Sequence, residues 1–200
     1  MKLYDYLPSG NSYKVRLVMS YLDLTYTHVS IDIHKGESST PEYLDKNPAG
    51  QIPLLELDDG RFLAESNAIM SFLAEGSDLI PSDNYDRAKM LQWMFWEQYK
   101  HEPAIAVARF ISMYAKETRG DELPLLLEKG HKVLTVMNAH LLNRDWFVGS
   151  KRSLADIALY AYTHVADQGG FDMSSYKYVQ SWLQRFASHS HHIFIEDKPS

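Results

Sequence analysis

Residues 47–66 read N-P-A-G-Q-I-P-L-L-E-L-D-D-G-R-F-L-A-E-S, and no other run in the chain constrains the fold as much. A proline drives the residue before it into extended backbone, so Ile52-Pro53 reads as a turn feeding a strand. Residues 54–57 and 61–63 are then two short strands, joined through Asp58-Asp59-Gly60 as a hairpin. Glu65-Ser66 opens a helix predicted over 65–75, with Gly76 as its stop.

The remaining signals up to residue 76 alternate. Residues 2–6 and 25–31 have strand character. Between them, residues 12–22 place Val15, Leu17, Val18, Met19 and Leu22 at roughly helical spacing. Residues 41–46 suit a short helix with Thr40 as its N-cap and Pro41 at its first position. The order is β-α-β-α-β-β-α, the thioredoxin-like order, which other mixed sheets also share.

Residues 76–84 (G-S-D-L-I-P-S-D-N) are rich in turn formers, and after them strand signals vanish. A long helix is predicted for 85–115, kinked where Pro103 removes an amide donor. Further helices are predicted for 121–142, 153–165 and 174–186, with an irregular polar tail over 188–200. In Ser153-Leu154-Ala155-Asp156 the serine and aspartate form a reciprocal capping box, each contact contributing about 1 kcal/mol. The expected domains are 1–76 (α/β), a linker at 77–84, and an all-helical 85–200 that includes the tail.

Apolar residues make up 45% of the chain and charged residues 23%, enough for a substantial core. No run of about 18 apolar residues suggests a membrane span, and the N-terminus lacks a signal peptide's apolar core. A cytoplasmic protein is therefore expected. A net charge of −6 argues against a nucleic-acid partner. Zero cysteines excludes a protein thiol nucleophile, so any thiol chemistry must use a ligand's sulfur. His189, His191 and His192 read as a solvated tail rather than a metal site, and His101 as structural. No metal and no prosthetic group are expected.

Backbone polar groups at the Pro53 turn, with an acid and a hydroxyl at a helix N-terminus, suit a small zwitterionic peptide. The N-P-x-G-x-[IV]-P…E-S pattern resembles the glutathione site of the glutathione transferases, and the S-x-x-D box resembles one in their helical domain. The resemblance implies a thioredoxin-like N-terminal domain followed by an all-α domain, the glutathione transferase architecture. It implies glutathione as co-substrate, a homodimer formed largely by the helices starting at Glu65 and Tyr85, and a role in detoxification.

The site residues follow from that resemblance. Ser9 matches the catalytic serine of the theta, delta and zeta classes and would donate a hydrogen bond to the thiolate. Asn11 is the second candidate, as in bacterial nu-class disulfide reductases. Ser12 ranks third and is assigned to the helix cap. Ile52 would pair its backbone with the cysteinyl unit, the bond to Pro53 being cis. Ser66 would hold the γ-glutamyl carboxylate and Glu65 the ammonium. Lys35, Ser38 and Gln51 share candidacy for the glycine carboxylate. Phe95, Tyr99, Glu102, Ala106 and Arg109 fall at spacings of 4, 3, 4 and 3, reading either as a wall of an electrophile pocket or as core and dimer packing.

Conjugation of glutathione to a small electrophile is the expected function. Glutathione-dependent disulfide reduction is the alternative, favoured if Asn11 contacts the sulfur. A different class remains open: stringent-starvation proteins and elongation-factor subunits use this fold as a non-catalytic binding module.

Overall fold

The computed structural model describes residues 1–198. They form two compact units, Met1–Ser77 together with the segment from Ser190, and Asp78–His189.

The first unit holds a four-stranded sheet in the order β2-β1-β3-β4. Its strands are β1 (Lys2–Asp5), β2 (Thr27–Ser30), β3 (Leu54–Glu56) and β4 (Phe62–Ala64). β1 runs parallel to β2, while β3 is antiparallel to β1 and to β4. Helices α1 (Gly10–Tyr21), α2 (Pro41–Lys46) and α3 (Ser66–Leu73) complete it. The thioredoxin-like order is thus realised, with β1, β2 and β3 one to three residues shorter than their sequence patterns and β4 shifted by one residue. α2 falls on its predicted span, with the Thr40 hydroxyl accepting the Tyr43 amide. The core includes Leu3, Val15, Leu17, Leu54, Leu55, Ile69 and Met70, all fully buried.

Register decides where a ligand can sit. Tyr4 pairs with Leu54, and Leu54 with Ala64. The chain after β1, the chain before β3 and the chain after β4 therefore share one sheet edge. β2 runs parallel to β1, with Ser30 opposite Asp5, so its exit loop lies at that edge as well. Ligands commonly bind beyond the carboxyl ends of parallel strands for this reason.

The second unit contains α4 (Asn84–Trp96), α5 (Glu102–Phe110), α6 (Lys116–Arg119), α7 (Leu123–His140), α8 (Leu154–Thr163) and α9 (Lys177–Ala187). The single helix predicted over 85–115 is corrected: π-helical turns at Glu97–His101 and Ile111–Ala115 interrupt it. The first ends just before Pro103, whose ring and missing amide cannot continue regular hydrogen bonding.

The capping box forms as expected. Asp156 is fully buried and accepts from the Ser153 amide (2.9 Å), the Ser153 hydroxyl (3.1 Å), the Phe147 amide (3.0 Å) and Trp182 Nε1 (3.0 Å). It joins the start of α8 to an aromatic core, where Phe147 packs edge-on to Trp93 at 4.8 Å and Trp182 at 5.1 Å.

Two domain expectations are also corrected. From Asp78 onward the expected linker is part of the helical unit, anchored by the Leu154 amide on the Leu79 carbonyl (3.0 Å) and Lys151 on Asp78 (3.0 Å). The tail expected to be solvated packs instead on the first unit. Its His191 carbonyl accepts from Ser20, and His192 meets the Tyr21 hydroxyl at 3.3 Å. Main-chain carbonyls make most of these bonds, so the polar composition of the tail concealed them. Among the described residues no helix is long and apolar enough to cross a membrane, and no three acidic or histidine side chains form a metal cluster.

Candidate glutathione site

α1 begins two residues earlier than its apolar pattern suggested, and this changes which hydroxyl caps it. Ser9 is the N-cap, in extended backbone, with Oγ accepting the Ser12 amide at 3.3 Å. A hydroxyl carries one donor and two acceptor lone pairs, so the Ser9 O–H remains able to donate to a bound anion. The positive end of α1 reinforces any such anion. Ser12, expected to be the cap, is fully buried and its Oγ has no hydrogen-bond partner among the described residues. It faces the interior and is no longer a candidate.

Asn11 lies beside the cap. Its Oδ1 accepts from Ser66 Oγ at 3.4 Å, linking the start of α1 to the start of α3. Asn11 and Ser66 are therefore neighbours across 55 residues of sequence, two residues along α1 from the Ser9 cap.

The turn before β3 is organised by Asn47, the first residue of the N-P-x-G-x-[IV]-P pattern, to which the sequence reading gave no role of its own. Asn47 Nδ2 and the Tyr43 hydroxyl both donate to the Gln51 carbonyl at 2.8 Å, and Asn47 Oδ1 accepts the Ala49 amide at 3.2 Å. Burial pushes the Tyr43 hydroxyl up to about 12, so it stays a donor throughout the physiological range. The sequence signals for Asn47 were its place at the head of that pattern and asparagine ahead of proline in a turn. Gly50 sits at φ 63, and a Cβ there would meet the Ser38 carbonyl at 3.2 Å. The Ile52-Pro53 bond is cis. Among the described residues no backbone group outside regular structure pairs with the amide or carbonyl of Ile52, which stays half-buried at the sheet edge.

Glu65 and Ser66 come directly after β4. Glu65 is exposed and sits at φ 69, ψ 111, outside the comfortable regions for a residue with a Cβ. Its side chain makes no cap bond to α3, correcting the expectation of a helix beginning at Glu65. Strain of this kind persists where something other than stability selects it. Ser66, the first helical residue, is buried and presents its amide end of α3 to the same edge.

The three glycine-carboxylate candidates are not equivalent. Lys35 is exposed and pairs with Asp32 at 3.1 Å, which raises the lysine and lowers the aspartate. Ser38 is buried behind Gly50. Gln51 has its carbonyl occupied and its side chain exposed.

The five-residue stripe is broken. Its spacing assumed uninterrupted α-helix, and the π turn at Glu97–His101 rotates α5 relative to α4. Phe95 and Tyr99 are 70% and 82% exposed, whereas Ala106 and Arg109 are buried and Glu102 is intermediate. Arg109 Nε donates to Gln168 at 2.7 Å, and its backbone abuts Gly169. Arg109 is thus buried, with its guanidinium engaged by Gln168.

Residues 1–75 match the family model described as glutathione S-transferase, N-terminal domain, and residues 96–190 match that of the C-terminal domain. The chain is 50% identical to a glutathione S-transferase from Pseudomonas fluorescens Pf-5, over 98% of each chain, with a TM-score of 0.95. It is 29% identical over 194 residues to the disulfide-bond oxidoreductase YfcG of Escherichia coli (strain K12), covering 92% of this chain and 88% of that one. A glutathione transferase, URE2P6 from Phanerochaete chrysosporium, solved in complex with oxidized glutathione, is similar at 25% identity and a TM-score of 0.86, covering 95% and 91%.

Proposed function

The chain belongs to the glutathione transferase superfamily, and on that premise we propose that it conjugates glutathione to a small electrophile. The observation that carries this reading is the Ser9 cap. Its hydroxyl stands at the positive end of α1, two residues from Asn11, which bonds Ser66, and its hydrogen is available to a sulfur anion. In this reading the γ-glutamyl carboxylate sits on Ser66 at the start of α3, Glu65 takes the ammonium, and Ile52 pairs with the cysteinyl backbone. The thiol proton leaves to solvent, the thiolate forms a carbon–sulfur bond, and the electrophile's leaving group departs with its bonding pair. A homodimer is part of the proposal, supported by exposed Phe72, Tyr85 and Leu91, and sedimentation velocity tests it.

Ser66→Ala should weaken glutathione binding about tenfold, the usual scale for one hydrogen bond to a charged group. Calorimetric titration measures this, and an unchanged Kd would remove Ser66 from the site. Glu65→Gly should separate stability from function. Relief of the positive φ should raise unfolding stability by about 1 kcal/mol, while glutathione affinity falls. A variant with both quantities lowered would mean the Glu65 backbone is not strained.

A second reading, glutathione-dependent disulfide reduction, is supported by the Ser66 bond that orients Asn11 and by similarity to YfcG. Comparing turnover of an aryl halide with that of hydroxyethyl disulfide separates the two. Glutathione binding without either activity would indicate a binding module.

A further inference from the structure

Arg16 lies two turns into α1 and is fully buried, yet its guanidinium is surrounded by main-chain oxygen. Nη2 donates to the Leu7 carbonyl at 2.6 Å. Nη1 and Nη2 both reach the Ile195 carbonyl at 3.1 Å, and Nη1 reaches the Asp197 carbonyl at 3.2 Å. Nε is 3.1 Å from the buried Asp5 carboxylate, which also faces His28 Nε2 at 3.1 Å. The same C-terminal segment receives the Tyr13 hydroxyl on the Ile193 carbonyl (2.6 Å) and the Ser20 hydroxyl on the His191 carbonyl (2.7 Å). Ile195 itself is buried. The segment is thus laid along α1 and held through its carbonyls.

The other end of this network is the loop that carries Ser9. The Leu7 carbonyl precedes Pro8-Ser9 directly, and the Ser9 amide donates to the Tyr6 carbonyl at 2.8 Å. One planar guanidinium therefore fixes the loop and the C-terminal segment relative to each other. A buried guanidinium must have its donors matched, so losing the carbonyls of Ile195 and Asp197 would leave Arg16 to reorient and release Leu7. Lysine, a point donor without the fork, cannot span the same acceptors.

We propose that the segment from Ser190 is a strap that positions Ser9 against the glutathione sulfur, with Arg16 as the positioning residue between them. The proposal rests on the assignment of Ser9 to the sulfur. Full-length Ile195→Asp, which places a carboxylate in a buried apolar position, should undock the strap, and Arg16→Lys should uncouple it from the loop. Two readouts apply well below the melting temperature. Amide hydrogen exchange over residues 6–12 should accelerate about tenfold while β3 stays protected. The pKa of the bound glutathione thiol, followed by thiolate absorbance, should rise by about one unit, whereas Ile195→Val changes neither. Faster exchange at 190–198 in Ile195→Asp, with residues 6–12 and the thiol pKa unmoved, would overturn the proposal. If Ile195→Asp does not fold, Arg16→Lys decides by the same two readouts. A wild-type chain that binds no glutathione would refute the site assignment, and with it the role toward sulfur, while the exchange arm still judges the strap.

Discussion

Asp156→Ala is expected to lower the unfolding free energy by about 3–5 kcal/mol. The carboxylate accepts four hydrogen bonds in a site with no access to water. Its removal strands the amides of Phe147 and Ser153 and the indole of Trp182, each costing about 1–3 kcal/mol when buried without an acceptor. The α8 cap is lost at the same time, and the melting temperature should fall on the order of 10 °C. Thermal unfolding followed by circular dichroism measures this; a fall of only about 1–2 °C would mean that water enters and replaces the carboxylate.

The same residue gives a pH signature with a definite sign. Burial outweighs the four hydrogen bonds and pushes the Asp156 carboxyl up to about 6, from an ordinary 3.8. The folded chain therefore holds this proton more tightly than the unfolded chain. The stabilisation from protonation is complete below about pH 3.8 and is lost as pH rises through about 6, a difference on the order of 2–3 kcal/mol. Wild type should gain stability relative to Asp156→Asn between pH 7 and pH 4, where other carboxylates change both proteins equally. A flat difference would show that the carboxyl is not raised.

Ser9→Ala is expected to lower kcat/KM about 100-fold, the scale of removing one donor aimed at a developing or resident anion. The affinity for glutathione should change little, because the Ser66 and Ile52 contacts remain. The loss should appear as an alkaline shift of the pH–rate profile, since less of the bound thiol ionises at neutral pH. Loss of the cap contact to Ser12 adds about 1 kcal/mol of destabilisation, so rates must be compared well below the melting temperature. An unchanged profile in Ser9→Ala beside an impaired Asn11→Ala would transfer the role to Asn11 and favour disulfide reduction.

Local chemistry made much of this legible in the sequence. Thr40 and Pro41 set the start of α2, the Ser153–Asp156 box set α8, and the hairpin running into α3 set the sheet edge. What escaped depends on features that a linear pattern does not carry. A π turn changes helical phase without changing composition, so the stripe from Phe95 to Arg109 looked continuous. The N-cap fell on Ser9 rather than Ser12 because Gly10, Asn11 and Ser12 join the helix although they lack the apolar spacing that marks its body. The strap was hidden because its bonds use main-chain carbonyls, and its only sequence trace was a charged Arg16 between Val15 and Leu17.

Whether glutathione lies along this sheet edge with its sulfur on Ser9 is decided by a crystal structure with glutathione bound. The sulfur should lie within about 3.5 Å of Ser9 Oγ and the γ-glutamyl carboxylate on the Ser66 amide and hydroxyl. Glutathione bound with its sulfur away from Ser9, or with its γ-glutamyl end away from Ser66, would contradict this placement.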